Sequence, residues 1–169
     1  MRLASLPALA FVVSLLATVL PLPGMALAQT LAEPTPIEAA YLAATRPYRD
    51  RIGLYQEALL EYQQAAVDGR IESVSVVALG DLTRELFAAR QAFTGASPSA
   101  RLDQYDRTIK LALDRAYAAS VLLVRAQVTE SAADRETLIR DAGEQTHSSV
   151  RLFGEAADEL RALVPSTAL

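Results

Sequence analysis

The only histidine of the chain stands in a Glu-x-x-His spacing that runs from Glu144 to His147. Helical bundles that hold two metal ions place such a pair on two of their helices. A second pair cannot form here because the chain has no other histidine. If Thr146 faces the core of a bundle, His147 and Glu144 point about 100° and about 160° away from that core. Because cysteine is absent, and methionine is absent after residue 28, we expect no metal, haem or other cofactor.

The same histidine belongs to a stripe spaced four, three and four residues apart, which consists of Gly143, His147, Val150 and Gly154. Glycine inside a helix costs about 1 kcal/mol relative to alanine, so two glycines on one stripe need a physical reason. One explanation is the close approach of a neighbouring helix, with His147 solvated or bonded to a carbonyl. The alternative is a shallow groove in which Gly143, His147 and Gly154 contact a partner or small ligand. Protonation of the histidine at about pH 6 would then change the binding.

Catalysis finds little support in the residue types. Asp141, His147 and Ser148 resemble the members of a triad, but adjacent helical residues point about 100° apart and no strand-turn elbow presents the serine. Two carboxylate pairs stand at helical spacing, Glu57 with Glu61 and Asp103 with Asp106. Charged pairs of this kind usually belong to a solvated helix face. The sequence therefore indicates a protein that is not an enzyme.

Four tyrosines stand seven residues apart in the segment YLAATRPYRDRIGLYQEALLEY, at Tyr41, Tyr48, Tyr55 and Tyr62. Helical positions seven apart drift by only about 20°, so the four rings share the centre of one apolar face. Core packing explains this placement, since a bundle rich in alanine needs some large side chains to fill it. The alternative is a groove lined by the four rings, which would bind an aromatic, glycan or lipid ligand. Tyr41 lies near the helix end, so we expect it to be partly exposed.

Each buried tyrosine hydroxyl needs a hydrogen-bond partner, because an unpaired polar group costs about 1–3 kcal/mol. The candidate partners are Ser120, Gln127, Thr146 and Ser149. The sequence leaves open which hydroxyl bonds to which side chain.

Apolar residues repeat at steps of three and four in four successive stretches, which predicts an all-α protein. The predicted helices cover residues 35–68, about 71–93, 98 to at least 123, and 131–165. Thr35-Pro36-Ile37-Glu38 forms a capping box at the first start, and Ser131 with Asp134 resembles another at the last. The short connections force neighbouring helices to be antiparallel, so we expect an up-down-up-down four-helix bundle over residues 35–165.

Pro47 lies inside the first predicted helix, where it removes one backbone hydrogen bond and crowds the carbonyl four residues back. We expect the helix to be kinked or broken near Pro47, between Ala43 and Arg46. The piece before the break, residues 36–45, is expected to pack against the third and fourth helices rather than the second.

The first 28 residues have the three regions of a secretory signal peptide. Arg2 supplies positive charge, an apolar run covers Leu6–Leu20, and Ala26-Leu27-Ala28 offers small residues where a signal peptidase cleaves. A spanning helix needs about 20 apolar residues, whereas this run is shorter and ends at prolines. We expect cleavage before Gln29, a flexible segment at 29–34, and a periplasmic or secreted protein.

Removal of this leader leaves 141 residues with 15 basic and 20 acidic side chains, a net charge of −5 with the histidine neutral. An acidic balance gives no electrostatic support for nucleic-acid binding. The leading hypothesis is an exported, non-catalytic bundle that acts through another envelope protein or a second copy of itself. The first alternative is a periplasmic module that binds a small molecule through the tyrosine face or the His147 groove. The second is a bundle that an uncleaved leader holds at the membrane as a subunit of a larger complex.

Overall fold

Five α-helices make up most of residues 32–165, which are the residues that the computed structural model describes. They are α1 (Pro36–Arg49), α2 (Ile52–Val67), α3 (Val76–Gly95), α4 (Asp103–Val128) and α5 (Ala132–Leu163). Because α1 and α2 form one bent helix, the arrangement is the all-α four-helix bundle that the apolar periods predict. The four helices of the bundle, with α1 and α2 counted as one, run antiparallel in succession, and α2 packs against α5 to close the bundle.

None of the helices between residues 32 and 165 is long and apolar enough to cross a membrane. The predicted leader at residues 1–28 lies outside the described residues, as do residues 29–31 of the predicted N-terminal segment. The cleavage site and the retained-anchor alternative therefore stay predictions.

The capping residues begin the first and last helices as predicted. The Thr35 N–H donates to Oε2 of Glu38 at 2.8 Å, and the Glu38 N–H donates to Oγ1 of Thr35 at 3.3 Å. Ser131 Oγ accepts the Asp134 N–H at 3.3 Å. Each contact satisfies a backbone donor that the first turn of a helix leaves free.

Gly69 ends α2 in the left-handed region, with φ at 70°. The Arg70 N–H then reaches back to the Ala65 carbonyl at 2.7 Å, and the Gly69 N–H reaches the Ala66 carbonyl at 3.1 Å. This pair of bonds is the usual glycine-based helix end, and it requires a residue that tolerates positive φ.

Two helix starts differ from the predictions. Residues Ile71–Ser73 form a 3₁₀ turn, so α3 begins only at Val76. The third predicted helix begins at Asp103 rather than at Pro98. The connection before it stays non-helical because Ser99 Oγ donates to Glu38 Oε1 at 2.7 Å, which ties the connection to the start of α1.

The first helix bends by 33° near residue 50, a few residues past Pro47. A kink near the proline is confirmed, but it does not lie between Ala43 and Arg46. The Asp50 N–H still bonds to the Arg46 carbonyl at 3.0 Å, so the helix continues past the ring. It ends where the Arg51 N–H turns to the Tyr48 carbonyl three residues back, at 3.1 Å.

The piece before the bend does not avoid the second predicted helix. α1 packs against α3, which corresponds to that helix, and also contacts α4 through Tyr41. Our expectation that α1 would lie against only the third and fourth predicted helices was wrong. The 33° bend is too small to swing α1 away from its neighbour.

Small residues let α4 and α5 approach along much of their length. Fully buried alanines on these two helices are Ala112, Ala116, Ala119, Ala126, Ala142 and Ala156. Large rings fill the end of the bundle where α1 lies; Tyr41, Phe93, Tyr105 and Phe153 are all buried there. Two of these rings, Tyr105 and Phe153, lie beside the bend at Arg49 to Ile52.

Candidate functional site

The metal and triad candidates on α5 lie at the surface. His147 is exposed, and its Nδ1 lies 2.8 Å from the Gly143 carbonyl oxygen, one turn earlier on its own helix. Glu144 is exposed as well. Within the described part of the chain, no cluster of three or more His, Asp or Glu side chains could hold a metal ion. The His147 ring therefore contacts the backbone of its own helix and is otherwise accessible to solvent.

The two glycines of the α5 stripe have different surroundings. Gly143 is buried, and a Cβ there would lie 2.9 Å from Nε2 of Gln63, which donates a 3.0 Å hydrogen bond to the Ile139 carbonyl. Gly154 is exposed, and a Cβ there would meet nothing within 4 Å. Close helix approach explains Gly143 but not Gly154. Contact of Gly143, His147 and Gly154 with a partner stays a prediction.

The tyrosines of the heptad series divide into two buried rings, Tyr41 and Tyr55, and two half-buried rings, Tyr48 and Tyr62. Tyr41 is 3% exposed, so our expectation of partial exposure was wrong. It is buried because its ring meets Phe93 and Tyr105 edge-on, with centroids 6.3 and 6.4 Å away. The rings pack in or against the core, and a ligand-binding role for the four stays a prediction.

The Tyr41 hydroxyl bonds to a charged side chain that the sequence pattern does not indicate. It donates to Asp106 Oδ1 at 2.8 Å, and Lys110 Nζ bonds to Asp106 Oδ2 at 2.6 Å. Asp106 is 4% exposed, so the solvated role predicted from its spacing was wrong. Burial, and then the bond to Asp106, raise the pKa of Tyr41 well above its usual value. The phenol is therefore a neutral donor at physiological pH.

The predicted hydroxyl partners make other contacts. Ser120, Gln127 and Ser149 bond to backbone carbonyls. The Thr146 hydroxyl is buried and has no hydrogen-bond partner among the described residues. Helical serine and threonine often bond to a carbonyl of the preceding turn, which removes them as partners for other side chains.

Glu38 joins the start of α1 to the connection between α3 and α4. Its carboxylate is 2% exposed and accepts the Thr35 N–H and the Ser99 hydroxyl, while Arg101 Nε lies 3.5 Å away. The backbone bond from Thr35, followed by the bond from Ser99, lowers the pKa of Glu38 below its usual value. These donors hold the carboxylate ionised, so the cluster is a structural clamp.

A seam follows the surface between α3 and α4. We define this α3–α4 seam by two stripes, Val76, Gly80, Thr83 and Phe87 on α3, and Tyr117, Val121, Val124 and Val128 on α4. Each stripe has the spacing four, three, four, which keeps it on one side of its helix. The Phe87 and Tyr117 rings lie 5.9 Å apart, and Arg90 pairs with Asp114. These two pairs fix the antiparallel register of the stripes.

One end of the seam is apolar and open. At the register of Phe87 and Tyr117, Val76 falls opposite Val128, and these valines are 59% and 70% exposed. Phe87 is 47% exposed. A Cβ on Gly80 would meet nothing within 4 Å, so there is open space above the α3 backbone at that point.

Basic side chains border the seam on its solvent side. Arg84 lies one turn from two residues of the α3 stripe and pairs with Asp81. Arg125 follows the α4 stripe residue at 124, is exposed, and makes no ion pair within residues 32–165. Asp81 balances Arg84, whereas Arg125 is a positive charge at the border that no described carboxylate pairs.

A cleft of about 250 Å³ opens beside the bend between α1 and α2, and we call it the break cleft. Its apolar lining comes from Ile52, Tyr105, Ile109, Phe153, Ala157 and Leu160. The charged residues at the cleft are Arg49, Asp50 and Arg161. The proline-linked bend thus creates a concave apolar surface with two guanidinium groups beside it.

The sequence carried a signal for the seam but not for the cleft. Apolar residues such as Val76, Phe87 and Val128 fall outside the core period of their helices, which indicates a second apolar face. The cleft depends on the position of the bend and on side chains from four helices, so no periodicity reveals it.

Comparison with family models, curated proteins and solved structures finds no match to this chain.

Proposed function

We propose that this protein is an exported, non-catalytic helical bundle that binds a helix of another envelope protein in the α3–α4 seam. The observation that carries the proposal is the pair of stripes with equal spacing, which run side by side on two antiparallel helices. A spacing of four and three is the spacing of coiled-coil contacts, so the two stripes offer a groove for the apolar face of a third helix.

The open end of the seam favours close approach by such a helix. Gly80 costs about 1 kcal/mol of helix stability relative to alanine, yet a Cβ there would meet nothing within 4 Å beyond its chain neighbours and the nearby backbone of its own helix. Val76 and Val128 remain more than half exposed at the same end. A docked helix would cover these side chains and use the space above Gly80.

The charge beside the groove favours one kind of partner helix. Arg125 borders the groove without an ion-pair partner among the described residues, so an amphipathic helix with an acidic residue beside its apolar stripe would gain a complementary contact there. A second copy of this chain would bring a second Arg125 to the interface and no free carboxylate to meet it, since Asp81 and Asp114 already pair with Arg84 and Arg90. We therefore assign the seam to an acidic helix of a different protein. The non-catalytic part of the proposal rests on the residue types of the sequence.

A photocrosslinking residue in place of Val128 tests the proposal in intact exporting cells. We expect one dominant crosslinked protein, with the crosslink in an acidic amphipathic helix. Leu54 is the matched control, since it is 59% exposed on α2 and lies outside the seam. A peptide of the crosslinked segment should bind the purified protein, and Phe87→Glu should weaken binding at least tenfold while Leu54→Glu leaves it unchanged.

Three outcomes would overturn this function. The Val128 probe could capture no more protein than the Leu54 probe, it could capture lipid, or it could join two copies of this chain. Circular dichroism of Phe87→Glu must match the unmodified protein, because a folding defect would also remove binding. Val76→Glu provides a second seam variant at a more exposed position.

A further inference from the structure

We infer that the break cleft binds a small organic acid that combines one carboxylate with a single ring or a branched hydrocarbon body. This cleft is lined by α1, α2, α4 and α5 residues, whereas the seam belongs to α3 and α4. The inference therefore stands independently of the proposed function.

The walls of the cleft select an apolar body. Tyr105, Ile109, Phe153 and Leu160 are each at most 6% exposed, so they are core side chains whose positions are fixed by packing. The volume of about 250 Å³ exceeds the roughly 150 Å³ of a cavity that accepts benzene. It lies below the range of about 300–1,000 Å³ that suits drug-sized ligands. A one-ring compound matches this size.

One buried hydrogen-bond donor at the cleft lacks a partner. Arg49 Nε is buried and bonds to nothing in residues 32–165, although the same guanidinium donates to the Leu42 carbonyl at 3.0 Å. Tyr105 lines the same cleft, and its side chain is 2% exposed. An unpaired buried donor is costly, and a carboxylate can accept from the guanidinium of Arg49. The ligand group at this end is therefore an acceptor.

Electrostatics at the cleft favour an anion over a cation. Arg161 pairs with Asp158 at 2.6 Å, and Asp50 lies 3.5 Å from Nε of Arg46, so Arg49 is the positive charge at the cleft that no described carboxylate pairs. The start of α2 has no side-chain cap and no acidic residue in its first turn, so its helix dipole adds partial positive charge. A carboxylate forms a charge-assisted hydrogen bond to the guanidinium that is stronger than the bond of a neutral hydroxyl, and the positive charge of Arg49 would repel an amine.

Isothermal titration calorimetry of the purified protein with phenylacetate tests the inference directly. We expect saturable binding of one phenylacetate per chain. The matched neutral compound 2-phenylethanol should bind at least tenfold more weakly, and the matched cation phenethylamine should not bind. Phenylacetate that fails to saturate a site, or that binds no better than 2-phenylethanol, would overturn the inference.

Substitutions in the break cleft test whether phenylacetate binds there. Ala157→Phe places a ring in the cleft and should abolish binding, and Arg49→Met should weaken it at least tenfold. Because the Arg49 guanidinium also donates to the Leu42 carbonyl, Arg161→Gln serves as a second charge variant that leaves the bend intact.

Arg151→Gln is the control, since Arg151 is exposed on α5 and pairs with Glu155. Unchanged phenylacetate affinity in Ala157→Phe would contradict the assignment, whereas Phe87→Glu in the seam should leave that affinity unaltered.

Discussion

The Tyr41 hydroxyl donates a 2.8 Å hydrogen bond to Asp106 across 65 positions of sequence. Asp106 also accepts from Lys110, the only lysine of the chain, at 2.6 Å. Two donors thus satisfy a carboxylate that is 4% exposed. A buried charge is tolerated only when it is paired in this way, so the contact holds α1 in one position against α4.

Tyr41→Phe removes the hydroxyl and keeps the ring. We expect the free energy of unfolding to fall by about 1.5–3 kcal/mol, because a bond to a charged, buried acceptor is lost. Chemical denaturation followed by circular dichroism measures the change. Tyr48→Phe is the control, since Tyr48 is half-buried and its hydroxyl bonds to no described residue. A loss within about 0.5 kcal/mol for Tyr41→Phe, the range of an ordinary surface substitution, would show that Asp106 does not need this donor.

Tyr41→Ala and Tyr55→Ala should both be severe. Both rings are buried, and truncating a large buried aromatic costs about 3–5 kcal/mol. Tyr62→Ala should cost clearly less, because the Tyr62 ring is only half-buried. Denaturation midpoints of the three variants provide the comparison. Equal, small losses at Tyr41 and Tyr55 would mean that these rings are not part of the core.

Gly154→Ala should raise stability, whereas Gly143→Ala should not. Gly154 is exposed with open space around it, so alanine should add about 1 kcal/mol through helix propensity. At Gly143 the new methyl would displace the Gln63 amide and break its bond to the Ile139 carbonyl. That loss should cancel or exceed the propensity gain. Thermal unfolding of both variants tests this, and a stabilised Gly143→Ala would disprove the close approach.

Glu38 should contribute a pH-dependent part of the stability. The pKa of its carboxyl in the folded protein lies below its ordinary value of 4.5. The folded state therefore binds fewer protons than the unfolded state, and the contribution is present above pH 4.5 and lost as the pH falls through the folded pKa. We expect Glu38→Gln to lose stability less steeply on acidification than the unmodified protein. Ser99→Ala, which removes one donor, should have an intermediate slope; identical slopes for all three would contradict this assignment.

Local patterns predicted the helices well because capping and amphipathic period act over a few residues. Thr35 and Ser131 cap the helices that their spacing indicated, and Gly69 ends α2. The start of α4 was missed because Ser99 bonds to Glu38, a residue 61 positions away. Pro98, on which the predicted start was based, gives no information about that distant hydrogen bond.

The candidate site was predicted less well, for a related reason. The tyrosine spacing identified a buried face, but not that Asp106 would be the partner of Tyr41. A carboxylate becomes a buried acceptor only when two chain segments meet, and one helix period predicted Asp106 to be solvated. The break cleft likewise exists only because α1 and α2 meet at an angle beside Phe153.

The dependence of α1 on distant partners has a consequence for the order of folding. α4 and α5 form a hairpin joined by a short turn, whereas Tyr41 must find Phe93 and Tyr105 more than fifty residues along the chain. Contacts that close long loops form late, since the entropy of closure precedes any gain from packing. The α4–α5 hairpin should therefore be structured in the folding transition state while α1 is still unattached. Substitutions at Tyr41 should then accelerate unfolding and leave the folding rate nearly constant.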